Sequence, residues 1–264
     1  MKEEGKEKSS ISDLKAMLDD RVRLYNRPSF IKGDPICIPH NYTIKQDIEI
    51  AGLFAAVLAW GNRTTIINNC KQLMGWMDNS PYAFIKNHKE IDLKGFTQFV
   101  HRTFNATDLL YFIYFLQYHY QKNDSLEDAF VPEKTYKDDT VERALVHFHE
   151  YFFSIEHPKR TQKHIATPVR KSACKRLNMY LRWMVRKDKQ GVDFGIWNKI
   201  NMRQLICPLD VHVARVSYRL GLIESGMANW NNAVQLTERL RELNPKDPAV
   251  YDYALFGLGM AERY

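Results

Sequence analysis

Apolar residues recur at helical spacing along most of the chain. Nowhere do they alternate with polar residues for long enough to make a convincing strand, so the pattern predicts an all-α fold. A short amphipathic helix is expected from about Ser12 to Tyr25. Pro28, Pro35 and Pro39, with Gly33, make 26–46 an extended loop. Asp47 to Trp60 (DIEIAGLFAAVLAW) then reads as a buried helix stopped by Gly61, and another helix runs from about Thr64 to Met77. Pro81 opens a short one. Apolar helices at roughly 106–121 and 140–153 are separated by the charged stretch 123–139, which contains Pro132 and is the clearest linker. From 168 to 262 the helical pattern continues with brief interruptions. One all-helical domain is expected over 12–264, with lobes at about 12–153 and 154–264, behind a disordered polar tail at 1–11.

Two helices carry the residues of chemical interest. In CKRLNMYLRWMVR, 174–186, Leu177, Leu181, Met184 and Val185 share one face, while Lys175, Arg182 and Arg186 fall elsewhere. The stretch 170–189 holds Arg170, Lys171, Lys175, Arg176, Arg182, Arg186, Lys187 and Lys189 against a single acid, Asp188. So many cations on one short element repel one another unless a polyanion or many counterions are present. A solvated basic face is the plain alternative. The second helix is expected to begin at CPLDVHVARVSYRLGL, 207–222, with Pro208 in its first turn. Leu209, Val213, Val216 and Leu220 form its apolar stripe, and Gly221 ends it. Asp210 sits at its start, where free backbone N–H groups and the helix dipole favour a carboxylate. Taken alone, Asp210 reads as a helix cap.

Composition narrows the partners. A net charge of +7 with a pI near 9.1 suits a polyanion without requiring one. The four cysteines, Cys37, Cys70, Cys174 and Cys207, form no CxxC pair and are too scattered for zinc or an iron–sulfur cluster, so they read as reduced thiols. His147 and His149, two apart on a helix, face different directions, and no metal or other cofactor is expected. The first ten residues, MKEEGKEKSS, are charged and polar with no apolar run behind them, so no signal peptide is expected, and the longest apolar stretch, Ile50 to Trp60, is too short to span a bilayer. A cytoplasmic monomer without membrane contact is therefore expected.

Lys175-Arg-Leu-Asn178-Met-Tyr-Leu181 and Pro208-Leu-Asp210-Val-His212-Val-Ala-Arg215-Val216 resemble two elements of the helix-hairpin-helix DNA glycosylase superfamily, which includes endonuclease III. The first matches K-x-x-N-x-x-L, and the second [VP]-x-D-x-H-x-x-R-[VI]. LFAAVLAWGNR (53–63) looks like the superfamily's early helix and following loop, and DPAVYDYALFGLGM (247–260) like its closing helix. A fuller resemblance, across nearly the whole length, is to a bacterial family catalogued as domain of unknown function 2400. It rests on EIAGLFAAVLAWGNR, KRLNMYLRWMVR and PLDVHVARV. The chain departs from the superfamily in two places. The hairpin before the lysine is usually glycine-rich, whereas Thr167 to Cys174 holds no glycine. Lys175 and Asp210 are also thirty-five residues apart, longer than in endonuclease III though similar to archaeal 8-oxoguanine glycosylases, so Gln190–Leu205 must loop out.

The resemblance implies a two-lobed glycosylase-like fold and a base-excision DNA glycosylase, with AP-lyase activity, acting on an oxidised or otherwise modified base. Lys175 would be the amine nucleophile, and Asp210 the carboxylate that stabilises a cation-like transition state or activates the nucleophile. Trp60, Asn62 and Arg63 would face the strand. Lys171, Ser172, Arg176, Asn178, Arg182, Arg186, His212 and Arg215 would complete the DNA-binding set. DNA is the expected partner, with structured RNA in reserve. The alternatives are a non-catalytic helix-hairpin-helix module that binds DNA or RNA, and a helical scaffold whose basic face binds protein.

Overall fold

The computed structural model describes residues 11–260, so the tail expected at 1–11 lies, apart from Ile11, outside the described residues. The described chain is helical but for one two-stranded hairpin. In order, α1 spans Ile11–Tyr25, α2 Lys45–Val57, α3 Arg63–Trp76, α4 Pro81–Asn87, α5 Ala106–Tyr120, α6 Glu127–Phe130 and α7 Glu142–Phe152. The second half holds α8 (Lys175–Val185), α9 (Val211–Arg219), α10 (Trp230–Leu243) and α11 (Asp252–Met260). Strands β1 (Val100–His101) and β2 (Phe104–Asn105) pair antiparallel, turning at Arg102 with φ 56°. Two residues per strand are too few to show alternation, so this hairpin is invisible to a periodicity search. No helix among the described residues is long and apolar enough to cross a membrane.

The core forms where α2 lies against α8. Ile50, Leu53 and Phe54 of α2 and Leu177, Leu181 and Met184 of α8 are all buried. Gly52 permits the close approach: a Cβ there would stand 2.7 Å from the Met184 methyl and 3.2 Å from the Tyr180 ring. Glu49, fully buried on α2, accepts from Tyr120 Oη (2.9 Å), Ser125 Oγ (2.6 Å), Leu126 N (3.0 Å) and Trp197 Nε1 (2.7 Å). Such saturation is what a buried carboxylate needs. Trp183 and Trp197 are both core residues. On the other side, α11 packs against α1 and α9, bringing the last described helix beside the first.

Two connections differ from expectation. The extended loop at 26–46 is instead wound into three short 3-10 turns, Pro28–Gly33, Pro35–Cys37 and Pro39–Asn41. Each opens on proline, whose fixed φ fits a first helical position as readily as an extended one. The linker at 123–139 is no free tether. Phe130 of α6 stacks on Phe148 with centroids 4.0 Å apart, and Lys199 N donates to Glu127 Oε1 (2.6 Å). Sequence polarity missed this because the buried residues, Ser125 to Val131, are a short run inside a charged stretch.

Candidate active site

The segment entering α8 sets the site's geometry. It turns twice through left-handed backbone, at Lys171 (φ 58°) and at the N-cap Cys174 (φ 48°). Glycine would adopt these angles freely, and for other residues they cost on the order of 1 kcal/mol each. The surroundings hold them in place. Trp230 N donates to the Lys171 carbonyl (3.1 Å), Ser172 bridges to Asn229, and Cys174 N donates to Ser172 Oγ (3.2 Å). Asn178, fully buried, donates from Nδ2 to the Ala173 carbonyl (3.0 Å). Arg176 donates to the Val57 carbonyl at the end of α2 and to the His164 carbonyl (3.3 Å). Burial lowers its pKa to about 10. The missing glycines are thus replaced by strained non-glycine residues under restraint.

Lys175 is the first residue of α8. Its Nζ stands 3.8 Å from Asp210 Oδ2 and 3.7 Å from Met179 Sδ. Asp210 is the N-cap of α9, its Oδ1 accepting from His212 N (2.9 Å) and Val213 N (3.0 Å). The helix therefore starts at Val211 rather than 207, and Pro208 and Leu209 precede it. The apolar run at 205–209 is instead buried without regular secondary structure. One carboxylate oxygen caps while the other faces the amine. Both side chains retain 27% exposure. On one side they line an open cleft of about 310 Å3 with Ser172, Cys174, Leu209 and Val211. On the other they close a cavity of about 30 Å3, water-sized, walled by Phe30, Asp34, Arg182, Tyr253 and Phe256.

The basic run does not form the exposed face that its charge suggested. Arg182 is 3% and Arg186 2% exposed, so neither can lie along a polyanion. Arg182 pairs with Asp252 and, through Nε, with Asp193 (3.3 Å). Arg186 pairs with Asp188 (2.7 Å), Asp193 (2.8 Å) and Asp247 (2.9 Å). The counter-charge is internal, supplied largely by acids outside the run. Asn178 is likewise structural, and Arg176 is mostly spent on carbonyls. Among the other expected contacts, Lys171 and Arg215 are exposed, and Ser172 and His212 half-buried. Asn62, exposed, caps α3 by accepting from Thr65 N (3.1 Å). Arg63 lies over the ring of Phe256 (5.5 Å), itself a wall of the small cavity. Trp60 is half-buried, edge-on to His101, with the Arg102 guanidinium 4.9 Å above its ring.

Sequence reasoning missed Asp34, Arg102 and Asp252. Asp34 precedes a proline and reads as an ordinary turn residue, and nothing in the sequence signals where Arg102 or Asp252 end up. Burial raises the pKa of Asp34 against the opposing pull of Arg182, Lys175 and Arg63. Burial also lifts Asp252 to about 6 despite its ion pair with Arg182. His164, beside the cleft, is lowered by burial to about 4, although its Nε2 lies 3.2 Å from Asp108 Oδ2. All four cysteines are unpaired, and no cluster of three metal-ligating side chains occurs among the described residues.

Residues 34–261 match the family described as "Protein of unknown function (DUF2400)". The chain belongs to that family. The match begins at Asp34 and takes in the whole candidate site, Lys175 and Asp210 included, except Phe30. No curated protein and no solved structure matches the chain.

Proposed function

We propose that this DUF2400 protein is a base-excision DNA glycosylase of the helix-hairpin-helix kind, with associated lyase activity, acting on a modified base. The observation that carries this reading is the 3.8 Å approach of Lys175 Nζ to Asp210 Oδ2 at the mouth of an open cleft. The two residues open two different helices, thirty-five positions apart, and retain solvent access.

In the proposed reaction Asp210, held by two backbone N–H groups, stabilises the positive charge that grows on the sugar as the C1′–base bond breaks. The Lys175 ammonium gives one proton to solvent, leaving a neutral amine, while Asp210 stays ionised. That amine forms the new C1′–N bond, and the base leaves with the bonding electron pair and gains a proton from solvent. Opening of the sugar ring yields an iminium, from which loss of a C2′ proton expels the 3′ phosphate. Lys171, Arg215, Arg63 and Arg102 are the exposed cations suited to the backbone, and Trp60 beside Arg102 is suited to the space an extruded base leaves.

Borohydride trapping on duplexes carrying abasic sites and a panel of lesions tests the lyase step. Wild type should trap and Lys175→Gln should not. Base release should fall in Asp210→Asn by at least a hundredfold, as loss of one transition-state charge does. Absence of trapping and of release by wild type, with salt-sensitive binding indifferent to Asp210, would leave a binding module instead.

A further inference from the structure

Three acids border the water-sized cavity beside the pair: Asp210, Asp252 and Asp34. Two of them are well held as anions. Asp210 Oδ1 accepts from two backbone N–H groups, and Asp252 is paired to Arg182. Asp34 is 8% exposed, accepts from Ile36 N (3.1 Å), and forms no ion pair among the described residues. Lys175 faces the same cavity with no oxygen acceptor inside hydrogen-bond distance. Asp210 Oδ2 is 3.8 Å from Nζ, too far for a direct bond, and the Met179 sulfur at 3.7 Å is a weak acceptor. A space of about 30 Å3 takes one water, and polar groups on several sides are what such a water requires.

We infer that Asp34 is the internal proton acceptor of the site, taking through one water in the small cavity the proton that Lys175 loses before its amine attacks. This deepens, and rests on, the lyase reading above: the cavity water is the solvent that receives the proton first. One N–H bond of the ammonium breaks and its proton passes to the water oxygen. The water gives one of its own protons to Asp34 and is regenerated, and the amine keeps the electron pair. Two charges facing one cavity thus become two neutral groups, which the apolar wall of Phe30, Tyr253 and Phe256 favours. Burial raises the proton affinity of Asp34 against the pull of Arg182, Lys175 and Arg63. The other ionisable groups around it do not compete. Arg182 lies between Asp193 and Asp252, whose charges it balances, and Asp210 is occupied by its capping bonds. Burial pushes the Tyr253 hydroxyl and the Cys37 thiol up, so both keep their protons.

The test follows single-turnover cyanoborohydride trapping on an abasic-site duplex from about pH 6 to about pH 9, read as the ratio of variant to wild-type rate. Taking the ratio removes the pH dependence of the reductant. Asp34→Asn and Asp34→Ser both keep a side-chain oxygen for Ile36 N, so the turn that Asp34 caps is retained, and thermal melting checks the fold. Neither side chain can hold the proton, which must then leave to hydroxide or buffer. In both variants the ratio should stand roughly a hundredfold down near pH 6 and climb by about tenfold per pH unit toward one. A ratio of one throughout, or a lowered ratio that does not change with pH, overturns the role of Asp34 while leaving the lyase reading in place. A wild type that forms no trapped adduct at any pH refutes the lyase reading itself, and this inference with it.

Discussion

Replacing Arg182 with methionine separates a structural arginine from a nucleic-acid contact. The guanidinium pairs with Asp252 and Asp193 and lies 4.3 Å over the Tyr253 ring. Asp193 keeps Arg186 at 2.8 Å, so the substitution strands only Asp252, 6% exposed and already raised by burial. Leaving a buried charge without its partner costs about 3–5 kcal/mol, and the lost cation–π contact about 1 kcal/mol, offset in part by the apolar thioether chain. A net loss near 4 kcal/mol lowers the melting temperature of a chain this size by roughly 10 °C. The second arm of the cycle is Arg182→Met with Asp252→Asn, which removes both charges and should recover about half of the loss. Melting followed by circular dichroism reads both. If Arg182→Met melts with wild type yet loses nucleic-acid affinity, Arg182 faces the ligand and the buried network described here is wrong.

Asp210→Asn should leave stability within about 0.5 kcal/mol of wild type, since asparagine caps a helix as well as aspartate, while Asp210→Ala loses about 1 kcal/mol. Urea unfolding distinguishes the two, and base release should vanish in both. The folded pKa of Asp252, about 6, exceeds its unfolded value of 3.8, so its stabilising share is full below the unfolded value and is lost as pH rises through 6, about 3 kcal/mol in all. His164 is the reverse, about 4 folded against 6.5 unfolded, so its share is full above 6.5 and is lost as pH falls through 4. These slopes oppose each other in wild type. Relative to it, Asp252→Asn should lose stability more steeply on acidification and His164→Gln less, and melting curves across that window would show parallel profiles if neither shift exists. Lys171→Gln and Arg215→Gln should each flatten the salt dependence of DNA binding by about one unit of slope, whereas the double change Lys187→Gln with Lys189→Gln should not.

How far the sequence reached depended on the range of the physics involved. The long helices were legible because apolar spacing and the stop at Gly221 are local, although α2 ends at Val57, short of the stop expected at Gly61. Asp210 was legible as a cap for the same reason, although the apolar run before it placed the helix start too early. Arg182 and Arg186 were not legible as buried: Asp188 and Asp193 lie close in sequence, but Asp247 and Asp252, which complete their neutralisation, lie some sixty to seventy residues away and carry no local signature. Lys171 and Cys174 show the converse. A segment without glycine suggests that no left-handed turn can form, yet Trp230, Asn229 and Asn178 impose two of them from outside the segment. The approach of Lys175 to Asp210 belongs to the same class, since resemblance drew attention to the two residues and only the packing of α8 and α9 brings them within 3.8 Å.

Burial of the two arginines also changes what the positive charge can do. A run of eight cations in twenty positions suggests one basic stripe along α8. In the folded chain the exposed members are Arg170 and Lys171 before the helix and Lys187 and Lys189 beyond its far end. An eleven-residue helix separates those groups by about 16 Å. Only the first group adjoins the Lys175–Asp210 cleft. Other exposed cations lie on other segments: Arg63 over Phe256, Arg102 over Trp60, and Arg215 on α9. These charges come from four separate segments, and Arg63 and Arg102 are each held over an aromatic ring. The net charge of +7 is thus spread by the fold over separate places, and two of the eight cations in the richest basic stretch, Arg182 and Arg186, are spent on buried ion pairs.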